Sequence, residues 1–223
     1  MTDQSAATST RPRNRRGEGA RLRDEIVTAA VELLDEAGAE SAITLRSVAR
    51  RVGIAAPSIY RHFPDQPAIM LAVVQQAFAE LEAQLRTALA AAGDDPRQRL
   101  FACCHAYLRF AQDHPERYRT MFGGLWMPAL DDTSVTRTDV STLGDACTRL
   151  LTETLNDCVT AGHATSTDLH ADAVALWLGL HGLAHQRAVT VAHQWPPNIA
   201  DRIITTLAHL DEQEPWPRWA GPM

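Results

Sequence analysis

Two short amphipathic segments separated by a single glycine set the strongest limit on how this chain can fold. In Ile43-Thr44-Leu45-Arg46-Ser47-Val48-Ala49-Arg50-Arg51-Val52-Gly53-Ile54, Thr44 can cap a helix whose apolar face is Leu45, Val48, Ala49 and Val52. Gly53 supplies the left-handed residue that stops it. Pro57 opens the next helix, at a position where its missing amide hydrogen has no bond to make, and Ile59 and Phe63 at i and i+4 give that helix a buried stripe. Two short helices across a tight glycine turn predict a helix-turn-helix.

The rest of the chain continues in the helical period. Before the pair, Ile26, Ala29, Ala30, Leu33, Leu34 and Ala37 recur at helical spacing from about Leu22 to the stop at Gly38. After it, a long amphipathic segment runs from Gln66 to Ala91 and breaks at Gly93-Asp94-Asp95-Pro96. Further helices are predicted over Arg97 to Asp113, from Pro115, over Val140 to Ala161, over Asp168 to His193 and over Ile199 to Leu210. No segment alternates as a strand does, so the expected fold class is all-α. The expected organisation is a disordered arginine-rich arm over 1–20, a three-helix helix-turn-helix domain over 21–67, a larger helical domain over 68–213 and a tail over 214–223.

Charge is distributed unevenly. The chain carries a net charge of -6, and all 21 of its basic residues are arginine. Up to Arg23 there are six arginines (Arg11, Arg13, Arg15, Arg16, Arg21, Arg23) against Asp3 and Glu18, a local +4 that leaves -10 for the remainder. Attraction to a polyanion therefore belongs at the front, and any phosphate clamp must be guanidinium, hydroxyl or backbone amide. No signal-peptide core opens the chain and no run approaches the ~18 to 20 apolar residues of a membrane span, so a cytoplasmic protein with no membrane partner is expected. Cys103, Cys104, Cys147 and Cys158 lack CxxC spacing and read as buried free thiols.

Thr44 to Gly53, followed by Pro57-Ser58-Ile59-Tyr60-Arg61-His62-Phe63, resembles the DNA-binding signature of the TetR family across about residues 22 to 72. Arg117 to Phe122 and Trp177-Leu178-Gly179-Leu180-His181-Gly182 resemble more weakly the WHG-type C-terminal domain of one branch of that family. The resemblance implies a helical domain for ligand sensing and dimerisation, a palindromic duplex operator, repression as the usual outcome, and no cofactor.

With Ile59 and Phe63 turned inward, Ala56, Pro57, Ser58, Tyr60, Arg61 and His62 remain for DNA. Arg61 is the candidate base reader, because a guanidinium pairs bidentately with guanine, and Ser58 can reach a base or a phosphate. Tyr60 and His62 match positions that bind phosphate in the family, the alternative being packing against the first helix. Thr44 and Arg46 stand at a helix N-terminus, which favours a phosphate, and Thr44 as a cap alone is the alternative. Gln66 stands where the family commonly places a lysine clamp, so that clamp is missing or weakened. The front arginines are either a compensating contact to DNA or a solvated tail.

Dimerisation is expected through the last two long helices. His170, Ala173, Val174, Trp177, Leu180, His181 and Ala184 form one stripe, and Ile203, Leu207 and Leu210 a second. For a small, mostly hydrophobic effector the candidate lining is Phe101, Cys104, His105, Leu108, Tyr118 and Met121, together with Phe122, Trp126, Trp177, His181 and His185. An enzyme built on His105, His181 and His185 is the rival reading, but no nucleophile elbow, HExxH or glycine-rich phosphate loop accompanies them. A metal sensor using Cys103, Cys104, His105 and His181 is a third, disfavoured because adjacent cysteines on a helix point in different directions.

Overall fold

A computed structural model describes residues 18–123, 130, 132–190 and 192–211. The chain runs through α1 (Glu18–Ala37), a 3-10 turn at Glu40–Ala42, α2 (Leu45–Val52), α3 (Ala56–Ile59), α4 (Gln66–Ala91) and α5 (Pro96–Asp113). It continues with α6 (Pro115–Phe122), α7 (Arg137–Ser141), α8 (Asp145–Thr160), α9 (Leu169–Val189) and α10 (Ile199–Leu207). Among the described residues there is no strand, only an isolated bridge between Ala164 and Leu210, and the fold is all-α as expected. The fold divides into two compact units, one from residues 1–78 with 116–143 and one from 79–115 with 144–223.

In the first unit, α1 lays Leu22, Ile26, Ala30 and Leu34 against Val48 and Ala49 of α2, with Ile59, Phe63, Ile69 and Val73 closing the same core. Arg51 of α2 reaches back to α1, 2.5 Å from Glu36 and 3.2 Å from Glu32. Its hydrogen bond holds the Glu36 carboxyl below the usual carboxylate range. At the surface such pairs fix orientation more than they stabilise. Asp65 caps α4 by accepting from the Ala68 N–H (2.8 Å), and it also accepts from the Ser134 N–H (2.7 Å) and hydroxyl (3.1 Å). Arg117 of α6 stands 3.6 Å from Asp35, and Arg119 donates to the Gly38 carbonyl. Arg117, Arg119 and Ser134 are thus each tied to the three-helix head.

In the second unit α5 is central, packing on α8, α9 and α10. Leu100, Cys104 and Phe110 of α5, Leu155 and Cys158 of α8, Leu176 and Leu180 of α9 and Ile204 of α10 are buried there. Three expected boundaries are corrected. Val140 to Ala161 is two helices, because Gly144 takes a left-handed φ of 82° and interrupts the run. The helix expected to reach His193 ends at Val189, where both the N–H and the hydroxyl of Thr190 bond to the Gln186 carbonyl. The last helix ends at Leu207 rather than Leu210.

Part of the expected dimer stripe is corrected as well. Ala173, Leu180, Ala184 and Leu210 are buried within one chain, because a helical apolar stripe serves whichever layer lies nearest, and here that layer is the unit's own core. Among the described residues of α9, the large apolar groups turned to solvent are Leu178 (54% exposed) and Val189 (58%). Behind them α9 and α10 come close at Gly179, where an added Cβ would lie 2.5 Å from Leu207 Cδ1 and 3.0 Å from Ile203 Cγ2. Gly179→Val is therefore expected to lower stability by about 1–3 kcal/mol. Gly179→Ala should change it far less, since the Leu207 methyl can turn aside and helix propensity returns ~0.5–1 kcal/mol. Urea denaturation compares the two, and equal midpoints would show that α10 has room to spare.

Candidate nucleic-acid interface

The reading head is built from its caps. Thr44 is extended (φ -120°, ψ 154°) and closes a reciprocal box with Ser47: its hydroxyl accepts from the Ser47 N–H (3.0 Å), while its own N–H donates to Ser47 Oγ (2.9 Å). Ser47 Oγ also donates to the Ala42 carbonyl (2.6 Å), so the first turn of α2 is anchored to the 3-10 turn before it. Ser47 was not among the sequence candidates. The usual signal for such a box is Glu or Gln at that position, and a serine does the same work only because Ala42 lies within reach. At the other end Gly53 is left-handed (φ 74°), and the Ile54 N–H closes back on the Ala49 carbonyl (3.0 Å).

α3 is shorter than the pattern suggested, four residues of α-helix carried on as turn. The His62 and Phe63 N–H groups both donate to the Ile59 carbonyl (2.9 Å), so the helical path persists to Phe63. Ile59 is fully buried and Phe63 is 1% exposed, whereas Tyr60 is 56% exposed. Ala56, Pro57, Arg61, Thr44, Arg46 and Gln66 are exposed, and Ser58 and His62 are half-buried. Every residue expected to meet DNA thus keeps solvent access, and the two expected to face inward do so. Arg23 stacks over the Phe63 ring at 4.8 Å and Arg21 pairs with Glu25 at 3.0 Å. These two front arginines belong to α1, and the arm expected over 1–20 is corrected at its end, since α1 already begins at Glu18; residues 1–17 and their arginines lie outside the described residues.

The sensing candidates are divided between the two units. Tyr118, Met121 and Phe122 fall in the first unit, where Phe122 meets Tyr118 (5.0 Å) and Phe78 (5.6 Å) ring to ring. Trp126 lies outside the described residues. In the second unit Cys104 and Leu108 are buried among core residues, Trp177 stacks on His181 at 5.5 Å, and His185 is exposed. Tyr107, not singled out from sequence, places its hydroxyl 3.3 Å from His181 Nδ1. Phe101 and His105 line a cavity of about 310 Å³ with Ala88, Ala91, Ala92, Gln98, Ala102 and Arg109. His105 Nε2 donates to Asp201 Oδ1 at 2.8 Å. Burial outweighs that carboxylate and holds the imidazole below its ordinary range, with Arg109 and Arg187 adding to the effect. Burial and the neighbouring His185 lower His181 likewise.

The cysteines are free thiols, three buried and Cys147 half-buried. Burial pushes Cys103 and Cys147 up to about 12 and Cys158 to about 11, and raises Cys104 well above its ordinary value. They are protonated at neutral pH and behave as small core residues. Among the described residues no helix is long and apolar enough to cross a membrane.

Comparison with known proteins gives two family matches along the chain. Residues 26–73 match the family described as bacterial regulatory proteins, tetR family, and residues 100–210 match the tetracyclin repressor-like C-terminal domain. The stretch from Trp177 to Gly182 lies within that second match. The chain is 32% identical over 100 residues to the HTH-type transcriptional activator FasR of Mycolicibacterium smegmatis, covering 45% of each chain. It is 30% identical over 80 residues to the HTH-type transcriptional regulator BetI of Stenotrophomonas maltophilia, covering 36% of this chain and 40% of that one. The matched stretches thus span less than half the length of these relatives. A solved protein of unknown function from Rhodococcus sp. RHA1 superposes with a TM-score of 0.69 at 25% identity, covering 87% of this chain and 95% of that one.

Proposed function

Since the chain belongs to the TetR family of bacterial transcriptional regulators, we propose that it acts as a homodimeric repressor whose hold on a palindromic operator is loosened by a small, mostly hydrophobic effector. The observation that carries this reading is the exposed Pro57–Tyr60–Arg61 face on a turn pinned from behind by Ile59 and Phe63. That face is sized for a major groove. Arg61 reads a base, Ser58 a base or phosphate, and Tyr60 and His62 grip the backbone. At α2, Thr44 and Arg46 offer a phosphate the open amides of the first turn. Gln66 contributes a neutral contact where a cation would be stronger.

Residues 21–67 are assigned to DNA reading and 68–213 to sensing and pairing. One short helix reads too few base pairs, so two copies are needed, and α9 and α10 supply the contact with Leu178 and Val189 as apolar anchors. The ties from Arg117, Arg119 and Ser134 to Asp35, Gly38 and Asp65 give a shift in the sensing part a route to the reading head. A coupling of ~1–3 kcal/mol suffices for regulation.

Selection of bound sequences from random duplex DNA with the purified chain tests the reading. Two inverted half-sites about one helical turn apart are expected. A single unrepeated site, or no enrichment, would overturn it. Repression is taken as the family's default sign. FasR bears the name of an activator, and a reporter driven from the selected site reads the sign directly.

A further inference from the structure

Resting on the DNA-reading proposal above, we propose that Arg50 is a further DNA contact, a guanidinium that grips a backbone phosphate one helical turn along α2 from Arg46. It supplies a cation to the duplex in a head whose Gln66 supplies none.

Charge in the head is sorted by segment. Residues 24–40 carry six carboxylates (Asp24, Glu25, Glu32, Asp35, Glu36, Glu40) and no arginine, whereas residues 41–64 carry four arginines (Arg46, Arg50, Arg51, Arg61) and no carboxylate. The acids thus belong to α1 and the 3-10 turn after it, and the cations to α2 and the stretch from α3 to Phe63. A polyanion is attracted to the second group and repelled by the first.

The arginines of α1, α2 and the α3 stretch divide by what they hold. Arg21 pairs with Glu25, Arg23 covers the Phe63 ring, and Arg51 is held by Glu32 and Glu36. Arg46, Arg50 and Arg61 are exposed and, among the described residues, have no ion pair or side-chain hydrogen bond. Their five N–H donors are therefore open to a phosphate. Of these three, Arg50 alone has no part in the contacts proposed above.

The register of α2 separates Arg50 from its neighbour. Arg50 follows Arg46 by four residues, so the two share a face about 6 Å apart along the axis. Arg51 lies about 100° further round, where it meets α1. The helix itself is fixed: Val48 and Ala49 are buried, and Ser47 bonds to both Thr44 and the Ala42 carbonyl. Only the Arg50 side chain has to be ordered when DNA arrives, which keeps the cost of the contact low. In helix-turn-helix docking the second helix of the pair enters the groove while the first crosses the backbone. Arg50 stands on the first, so it meets phosphate, whereas Arg61 beyond α3 meets a base.

Salt titration of binding to the duplex enriched by selection and to a duplex of mixed sequence tests the contact, using the full chain with Arg50→Met, Arg50→Lys or Arg51→Met. Each phosphate contact contributes about 0.9 to the slope of log affinity against log salt. Arg50→Met is expected to flatten that slope by about 0.9 per bound copy, about 1.8 for two, and to weaken both duplexes by a similar factor. Arg50→Lys should restore most of the slope, because a phosphate accepts either cation. Arg51→Met removes the same formal charge one position away and should leave the slope unchanged. Thermal melts confirm that each variant is folded. The proposal is overturned by an unchanged slope in Arg50→Met, by an equal loss in Arg51→Met, which would make net charge the cause, or by a loss confined to one base position, which would make Arg50 a base reader. If the unsubstituted chain selects two inverted half-sites while its slope is indifferent to Arg50, this contact alone is lost. If it binds no duplex, the regulator reading fails and the contact with it.

Discussion

Replacing Phe63 with alanine is expected to destabilise the first unit by about 3–5 kcal/mol and to remove sequence-specific DNA binding. The ring is 1% exposed in a core that includes Ile26, Ile43, Ile59 and Ile69, and Arg23 covers its outer face. Truncation opens a void beneath Tyr60, Arg61 and His62, whose backbone path relies on bonds from His62 and Phe63 to the Ile59 carbonyl. α3 has four residues, too few to hold its shape once that buttress is gone. Phe63→Leu, which keeps most of the volume, should cost under about 1.5 kcal/mol. Urea denaturation and an operator-binding assay measure both variants. Wild-type affinity in Phe63→Ala would show that the segment is held by something other than this core.

The second large effect separates reading from folding. Arg61 is exposed, so Arg61→Ala should leave stability within about 0.5 kcal/mol. Operator discrimination should nonetheless fall by ~1–3 kcal/mol per half-site, roughly 2–6 kcal/mol for two copies. The loss should concentrate at one base position of each half-site, where the selected sequences become indifferent. Tyr60→Phe, which removes a proposed phosphate contact, should weaken all sequences by a similar factor. A binding-site profile that Arg61→Ala leaves intact would remove Arg61 from base reading.

The head was legible in the sequence because its signals are local and chemically distinct. A threonine before an apolar run, a glycine after it and a proline opening the next helix each have one main structural use, and Thr44, Gly53 and Pro57 occupy those positions. Ser47 escaped notice because its role depends on Ala42, which no short pattern includes. The second unit was harder to read for a different reason. Leu, Val and Ala at helical spacing look the same whether they face their own core or a partner, so the pattern assigns Ala173 and Leu180 to a seam although both are interior. Cys104 and Leu108 likewise turned out to lie in the core. The cavity is defined partly by what is small, and Ala88, Ala91 and Ala92 carry no chemical signal of a ligand contact. Gly144 hid in plain sight, since one glycine within a helical pattern is tolerated as often as it breaks one.

The carboxylate of Asp65 serves two hosts, the opening turn of α4 and Ser134, 69 residues further along the chain. A chimera that transplanted only residues 21–67 onto a foreign body would arrive without Ser134, Arg117 and Arg119, leaving Asp65, Asp35 and the Gly38 carbonyl with vacated contacts. Swapping specificity between relatives thus calls for a discontinuous graft, in which a distant loop travels with the reader.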